Sequence, residues 1–279
     1  MPELPEVEIA RESLETWLLG RTIDTVRAPD SRIRGAVSRQ KFETELRGSR
    51  TQSVERRGKF LVLGFGESRP RVLAHLGMTG KFVYVPADEP LPRFTRLELR
   101  LSDGARVVLD DRRRLGQFRL LDEREQRRVD SLGIEPLSSA FTHSYLHTLL
   151  RSSHRAIKLF LMDQKKIAGI GNIQAAEALF LAGVHPSRTA RSLSGDEARL
   201  LTRSVKKALR AEIRRYRSRR AYLYEGALNP FLVYGRAGEP CPRCDRRIRR
   251  VVQGGRTSYY CATCQPGQPR KSGQPRKKR

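Results

Sequence analysis

Residues 241–264 read CPRCDRRIRRVVQGGRTSYYCATC and hold all four cysteines of the chain, as Cys241-x2-Cys244 and Cys261-x2-Cys264 with sixteen residues between the pairs. Each Cys-x2-Cys turn offers two thiolates from one knuckle, and a closed structural zinc site requires four in a tetrahedron. Two disulfides are the alternative. The first residues of the chain are acidic and lack the basic-then-apolar pattern of a secretory signal, so a reducing compartment is expected, where paired cysteines hold metal. The intervening residues predict a β-hairpin that turns at Gly254-Gly255. With sulfur alone as ligand, zinc acts there as a staple. Arg256 falls just past the hairpin tip, where a guanidinium can enter a nucleic-acid groove; a merely solvated arginine is the plainer reading from composition.

Working outward, the chain has 279 residues with 56 Lys and Arg against 30 Asp and Glu, a net charge of +26. Solubility needs far less, and the partner such an excess points to is a polyanion, nucleic acid first, because each neutralised phosphate releases a counterion. No stretch reaches the roughly 18–20 apolar residues of a spanning helix. A cytoplasmic chain in contact with the nucleoid and not with membrane is expected.

Upstream of the hairpin, residues 193–216 (LSGDEARLLTRSVKKALRAEIRRY) predict a long helix. Ser194 and Glu197 form its capping box, Leu201, Val205, Leu209 and Ile213 its apolar face, and Lys and Arg the opposite one. That basic face is either solvated or in contact with phosphate. Two further helices are expected over 141–153 and 173–186, the second ended by Gly183 and Pro186. Gly169-x-Gly171-Asn172 opens this second helix, and a helix N-terminus suits a phosphate, although a glycine turn alone is usually just a tight connection. Before residue 130 the pattern is short strands, TIDTVRA, KFLVLGF, RVLAHL, KFVYV, LELRLSDG and ARVVLD, without intervening helices. It predicts an antiparallel sandwich or a barrel-like sheet pair. Beyond the cysteines, residues 265–279 (QPGQPRKSGQPRKKR) are expected to be disordered. The five histidines show no ligand spacing and read as structural or surface residues.

The chain starts MPELPEVE. Proline at a first helical position and carboxylates in a first turn favour a helix start. A second reading is chemical. Removal of Met1 exposes the secondary amine of Pro2, and an α-amino group with a pKa of about 7.7–8.0 is often unprotonated at neutral pH, where lysine is not. Attack on an aldehydic carbon gives an iminium ion, and Glu3 is placed to shuttle protons.

PELPEVE, RRGKF, HLGMTG, DRRRLG, GIGNI and the paired Cys-x2-Cys hairpin occur in an order that resembles the formamidopyrimidine-DNA glycosylases, from residue 2 to about residue 265. The resemblance implies an α+β fold: an N-terminal antiparallel β-sandwich with flanking helices (2–130), a helix–two-turn–helix domain (131–235), a four-cysteine zinc-finger hairpin (236–265) and a basic tail (266–279). It implies a monomeric base-excision repair enzyme that excises oxidised purines, formamidopyrimidines and 8-oxoguanine, from double-stranded DNA. Abasic sites are then cut by β/δ-elimination through a Schiff base. On that pattern Pro2 matches the nucleophile, Glu3 the acid/base, Glu6 a carboxylate orienting the terminus, and Lys59 a contact to the phosphate beside the lesion. Met78, Arg113 and Leu115 match the side chains that fill the gap left by the flipped base. Asn172, Tyr234 and Arg256 match backbone clamps, and Cys241, Cys244, Cys261 and Cys264 the ligands of one zinc ion. Leu115 stands where the family has Phe, Arg112 where it has Pro, and Gln174 where Tyr is common. The Arg- and Tyr-rich stretch before VYGR is shorter than the family's Gly-rich loop. Two alternatives share the fold: a damaged-DNA binder that does not cut, and an endonuclease VIII-like enzyme for oxidised pyrimidines.

Overall fold

The computed structural model describes residues 1–67, 69–219 and 229–267. They divide into two compact units, Met1–Leu132 with Ile213–Tyr222, and Gly133–Glu212 with the C-terminal part from Leu223. The stretch 220–228 before VYGR and the tail beyond Gly267 lie outside the described residues.

The first unit opens with α1 (Leu4–Leu18), β1 (Ile23–Arg27), α2 (Ser31–Arg34), α3 (Arg39–Leu46), β2 (Ser53–Arg57) and β3 (Phe60–Gly64). It continues with β4 (Val72–His75), β5 (Lys81–Val85), β6 (Thr95–Leu101), β7 (Arg106–Asp110), β8 (Gln117–Leu120) and α4 (Glu123–Asp130). The strands form two four-stranded sheets in the orders β1-β6-β7-β5 and β2-β3-β4-β8, with every pairing antiparallel. Leu97, Leu99 and Leu101 alternate inward along β6, and Val7, Ala10, Leu14 and Leu18 bring one stripe of α1 to the same core. Each fully buried Leu or Phe there contributes about 1.5–3 kcal/mol.

Three helices interrupt the expected run of strands. α2 and α3 stand between β1 and β2, capped by Asp30 and Ser38, and send Ile33, Phe42 and Leu46 into the core. They are too short and too charged to show a helical period. α4 likewise begins before Asp130, with Asp122 accepting from the Glu125 N–H at 2.8 Å. β2 and β8 carry little strand signal, because SVERR and QFRL each bury a single residue, Val54 and Phe118.

The second unit holds α5 (His143–Arg151), α6 (Ile157–Leu161), α7 (Asn172–Ala182), α8 (Gly195–Arg219) and the hairpin of β9 (Arg249–Gln253) and β10 (Arg256–Tyr260). α8 begins at the expected capping box: the Glu197 N–H donates to Ser194 Oγ at 3.2 Å, and the Ser194 N–H to Glu197 Oε2 at 2.9 Å. Buried Leu201, Val205 and Leu209 make its apolar face in this unit. Its turns from Ile213 onward group with the first unit. α7 ends at Gly183, whose φ of 70° is left-handed, as a glycine C-cap allows. Among the described helices none is long and apolar enough to cross a membrane.

Candidate active site and nucleic-acid interface

The N-terminal turn is clasped on itself. Glu3 is the N-cap of α1 and forms a reciprocal capping box with Glu6, whose Oε2 accepts the Glu3 N–H at 2.9 Å. Both carboxylates are buried, at 3% exposure each. The proline within the first turn is Pro5, not Pro2 as a simple helix start would have it. Pro2 therefore precedes the helix, half-buried and fixed by the clasp that follows it. Tyr216, from the end of α8 in the same unit, donates its hydroxyl to Glu6 Oε1 at 3.1 Å.

Lys59 lies in the turn between β2 and β3 and is 7% exposed. Arg56, at the end of the same hairpin, donates to Glu8 of α1 at 2.6 Å, which ties the turn to the N-terminal helix. Burial opposes ionisation of Glu8, but the Arg56 and Arg11 hydrogen bonds outweigh it and hold the carboxyl below its usual range. His75 of β4 pairs across the sheet with Phe60, the rings 5.0 Å apart, and its Nδ1 accepts the Gly77 N–H at 3.0 Å. Burial, then the charges of Lys59 and Arg128, lower its pKa to about 4. The ring is neutral at pH 7, a structural histidine as its isolation in sequence implied.

Met78, Arg113 and Leu115 come from two turns held together by one carboxylate. Asp111, fully buried, accepts from Thr79 Oγ1 at 2.5 Å and the Arg113 N–H at 3.2 Å through Oδ1. Its Oδ2 accepts the N–H groups of Leu115 and Gly116, each at 2.7 Å. Gly77 fits against the second turn so closely that a Cβ on it would lie 2.4 Å from the Leu115 carbonyl carbon. Arg113 Nη1 reaches Met78 Sδ at 3.0 Å. Met78 and Leu115 project outward, at 42% and 45% exposure, so neither large apolar side chain serves the core. Arg114 between Arg113 and Leu115 has φ 55°, a left-handed conformation that costs a non-glycine residue of order 1 kcal/mol.

In the second unit Asn172 is the first residue of α7, with Gly171 as N-cap. Its Nδ2 donates to Thr257 O at 3.2 Å and lies 3.5 Å from Tyr234 Oη, so the glycine turn, VYGR and β10 meet at one point. Arg256 is the exposed first residue of β10, beside that junction in sequence. Glu177, buried one and a half turns along α7, accepts the N–H groups of Leu232, Val233 and Tyr234 at 2.8, 3.0 and 3.0 Å. Burial pushes its carboxyl up despite these donors. Buried Lys158 of α6 donates to Thr257 O at 3.0 Å and Ser258 Oγ at 2.8 Å. Gln174 is buried in α7 and does not stand on the surface.

The four cysteine sulfurs lie within 4.8 Å of one another. Sulfur–sulfur distances of 3.5, 3.5 and 3.9 Å are far from the ~2.0 Å of a disulfide. They match the roughly 3.8 Å edge of a tetrahedron with ~2.3 Å zinc–sulfur bonds. Burial and then the neighbouring sulfurs push the Cys264 thiol well up, so a cation is what lets four sulfurs ionise side by side. Arg243, in the first knuckle, donates to Phe180 O at 2.8 Å and Leu181 O at 3.2 Å at the end of α7. Gln265 is ordered, against the expectation for the tail: it accepts the Cys261 N–H at 3.0 Å and donates to Val184 O at 2.8 Å.

Three family models match this chain: the formamidopyrimidine-DNA glycosylase N-terminal domain over residues 1–118, the H2TH domain of the same enzymes over 132–221, and the zinc finger found in FPG and IleRS over 238–267. The formamidopyrimidine-DNA glycosylase of Roseiflexus is 41% identical over 95% of this chain and 100% of its own. The chain belongs to the formamidopyrimidine-DNA glycosylase family. Among solved structures it is similar to wild-type Lactococcus lactis Fpg in complex with DNA containing N7-benzyl-Fapy-dG, at 30% identity and a TM-score of 0.85 over 95% of this chain and 100% of that one. The complex of the L. lactis enzyme with abasic-site DNA matches at 30% identity and a TM-score of 0.84, over 95% and 99% of the two chains.

As a formamidopyrimidine-DNA glycosylase the chain is a glycosylase/AP lyase with one structural zinc site, at Cys241, Cys244, Cys261 and Cys264. The sequence had not singled out Asp111, Glu177, Lys158 or Tyr216. Only Glu177 and Lys158 carried a local signal, a lone charge inside the apolar runs NIQAAEALFLA and IKLFL.

Proposed function

We propose that this glycosylase excises oxidised purines, ring-opened formamidopyrimidines and 8-oxoguanine, from double-stranded DNA and then cleaves the strand at the resulting abasic site. The observation that carries the reading is the clasped N-terminus, which holds Pro2 just ahead of two buried carboxylates. In the structure the Pro2 nitrogen is still part of the Met1–Pro2 peptide; the reacting species is the secondary amine left when Met1 is removed. That amine attacks C1′ as the C1′–base bond breaks, and the base leaves with a proton. The C1′–O4′ bond then opens, O4′ taking a proton from Glu3 as the nitrogen lone pair forms the C1′=N bond, and the resulting iminium ion is an electron sink. Loss of a C2′ proton expels the 3′-phosphate, and a second elimination expels the 5′-phosphate. Glu3 serves as acid and base, Glu6 orients the turn, and Lys59 binds the phosphate next to the lesion.

Met78, Arg113 and Leu115 enter the stack where the base has left, Arg113 facing the orphaned partner. Leu115 wedges without the aromatic stacking worth about 1–3 kcal/mol per base. Asn172, Tyr234 and Arg256 hold the backbone. Residues 2–130 carry the chemistry, 131–235 and the zinc hairpin at 236–265 grip the duplex, and the work is done in the cytoplasm at the nucleoid. DNA with a modified Fapy base or an abasic site is bound by the L. lactis relative, which supports this substrate class.

The test is borohydride reduction with duplexes bearing 8-oxoguanine, a ring-opened purine or an abasic site. A covalent adduct is expected, and it disappears in Pro2→Gly with a blocked terminus. Tight binding without an adduct on any of the three overturns the proposal.

A further inference from the structure

Tyr216 has no place in the chemistry described above, yet it is 4% exposed and its hydroxyl ends on a carboxylate of the N-terminal clasp. Glu6 is the centre of a two-sided arrangement: Oε2 takes the Glu3 N–H at 2.9 Å and Oε1 takes the Tyr216 hydroxyl at 3.1 Å. Glu6 sits in the first turn of α1 with no room to swing into water, being 3% exposed. A carboxylate gripped on one oxygen only can turn about its terminal torsion; one gripped on both cannot. The phenol is a neutral donor, so it fixes Glu6 without bringing a charge of its own, as a lysine or arginine at that place would.

We infer that Tyr216 is a positioning residue for the reaction, acting through Glu6 on the backbone of Glu3 and so on the nitrogen of Pro2. The inference rests on the reading of Pro2 as nucleophile. Its reach follows from chain geometry. The Glu3 N–H that Glu6 holds belongs to the peptide joined directly to the Pro2 carbonyl, so rotation of that peptide carries the Pro2 ring with it. A displacement of the order of 1 Å at a reacting atom costs up to about 100-fold in rate. The neighbouring contact offers a clean control. Arg217, one residue further along α8, donates to Glu12 at 3.1 Å, two turns down α1 from the clasp. It docks the same helix end on the same partner and does not touch Glu6.

The experiment compares wild type, Tyr216→Phe and Arg217→Met in single-turnover borohydride trapping on abasic-site duplex, varying enzyme concentration to separate the maximal rate from half-saturation. Tyr216→Phe is expected to lower the maximal rate about tenfold, equivalent to about 1.4 kcal/mol, with half-saturation within about twofold of wild type and Arg217→Met unchanged. Equal loss in both variants, a parallel change in half-saturation, or no loss in Tyr216→Phe overturns the inference. Hydrogen–deuterium exchange over residues 3–8 gives a reading independent of the chemistry. Tyr216→Phe must exchange faster there than wild type while Arg217→Met does not, and equal exchange overturns the inference. If wild type forms no adduct, the nucleophile proposal falls by itself, and the exchange result still decides Tyr216.

Discussion

His75 sits under Phe60 with its Nδ1 occupied by the Gly77 N–H, and its pKa of about 4 lies well below the ordinary 6.5. The folded ring is neutral where an unfolded chain takes up a proton, so its contribution to stability is complete above pH 6.5. It is lost progressively as pH falls toward 4, because the unfolded state binds more protons across that window. A shift of this size corresponds to at most about 3 kcal/mol. Urea unfolding at about pH 7 and about pH 4.5 should therefore show a smaller acid penalty in His75→Gln than in wild type, by about 2 kcal/mol. Equal penalties would mean that the ring is protonated in the fold. Other single residues were legible for a simpler reason. Cysteine pairs, a terminal proline and a glycine turn before a helix each impose chemistry at fixed local spacing.

At the scale of elements, the placement of Met78, Arg113 and Leu115 depends on a carboxylate that bridges the β4–β5 and β7–β8 turns. Asp111 fixes Thr79 in one and the backbone of Arg113, Leu115 and Gly116 in the other. Asp111→Asn turns an acceptor of two N–H groups into a donor facing them, and unsatisfied buried groups cost about 1–3 kcal/mol each. Affinity for a duplex carrying a tetrahydrofuran abasic analogue should fall about tenfold, measured by fluorescence anisotropy, with the zinc hairpin intact; undiminished affinity would show that the turns hold their shape alone. The sequence placed most strands but not β2, β8, α2, α3 or α4. Each of these buries only one or two apolar residues, too few to display a period, and each forms because neighbouring strands and the core supply its contacts.

For the molecule as a whole, +26 supplies the attraction to a polyphosphate and zinc the rigidity of one part of the grip. The hairpin is small, and its own apolar cluster includes Cys241, Cys261, Ile248 and Val233 with Ala176 and Phe180 of α7. Removing zinc takes away the cross-link that seats β9 and β10 beside Asn172 and Tyr234. Chelation with a strong zinc ligand is expected to weaken duplex binding while the thermal transition of the β-sandwich, followed by circular dichroism, stays in place. Full affinity after chelation would overturn the role given to Arg256.

The sequence by itself determined the zinc ligands, the family and the positions that match its motifs, because these are set by residue type at short or ordered spacing. The tertiary structure alone decided how those positions are held. Asp111 on Thr79, Glu177 on the backbone before Gly235, Lys158 on β10 and Tyr216 on Glu6 join residues separated in sequence by 32, 55 to 57, 99 to 100 and 210 positions. No local pattern encodes such a pairing. A lone polar residue in a segment becomes a donor or acceptor with a partner only once packing has excluded water and left it that one group to bond.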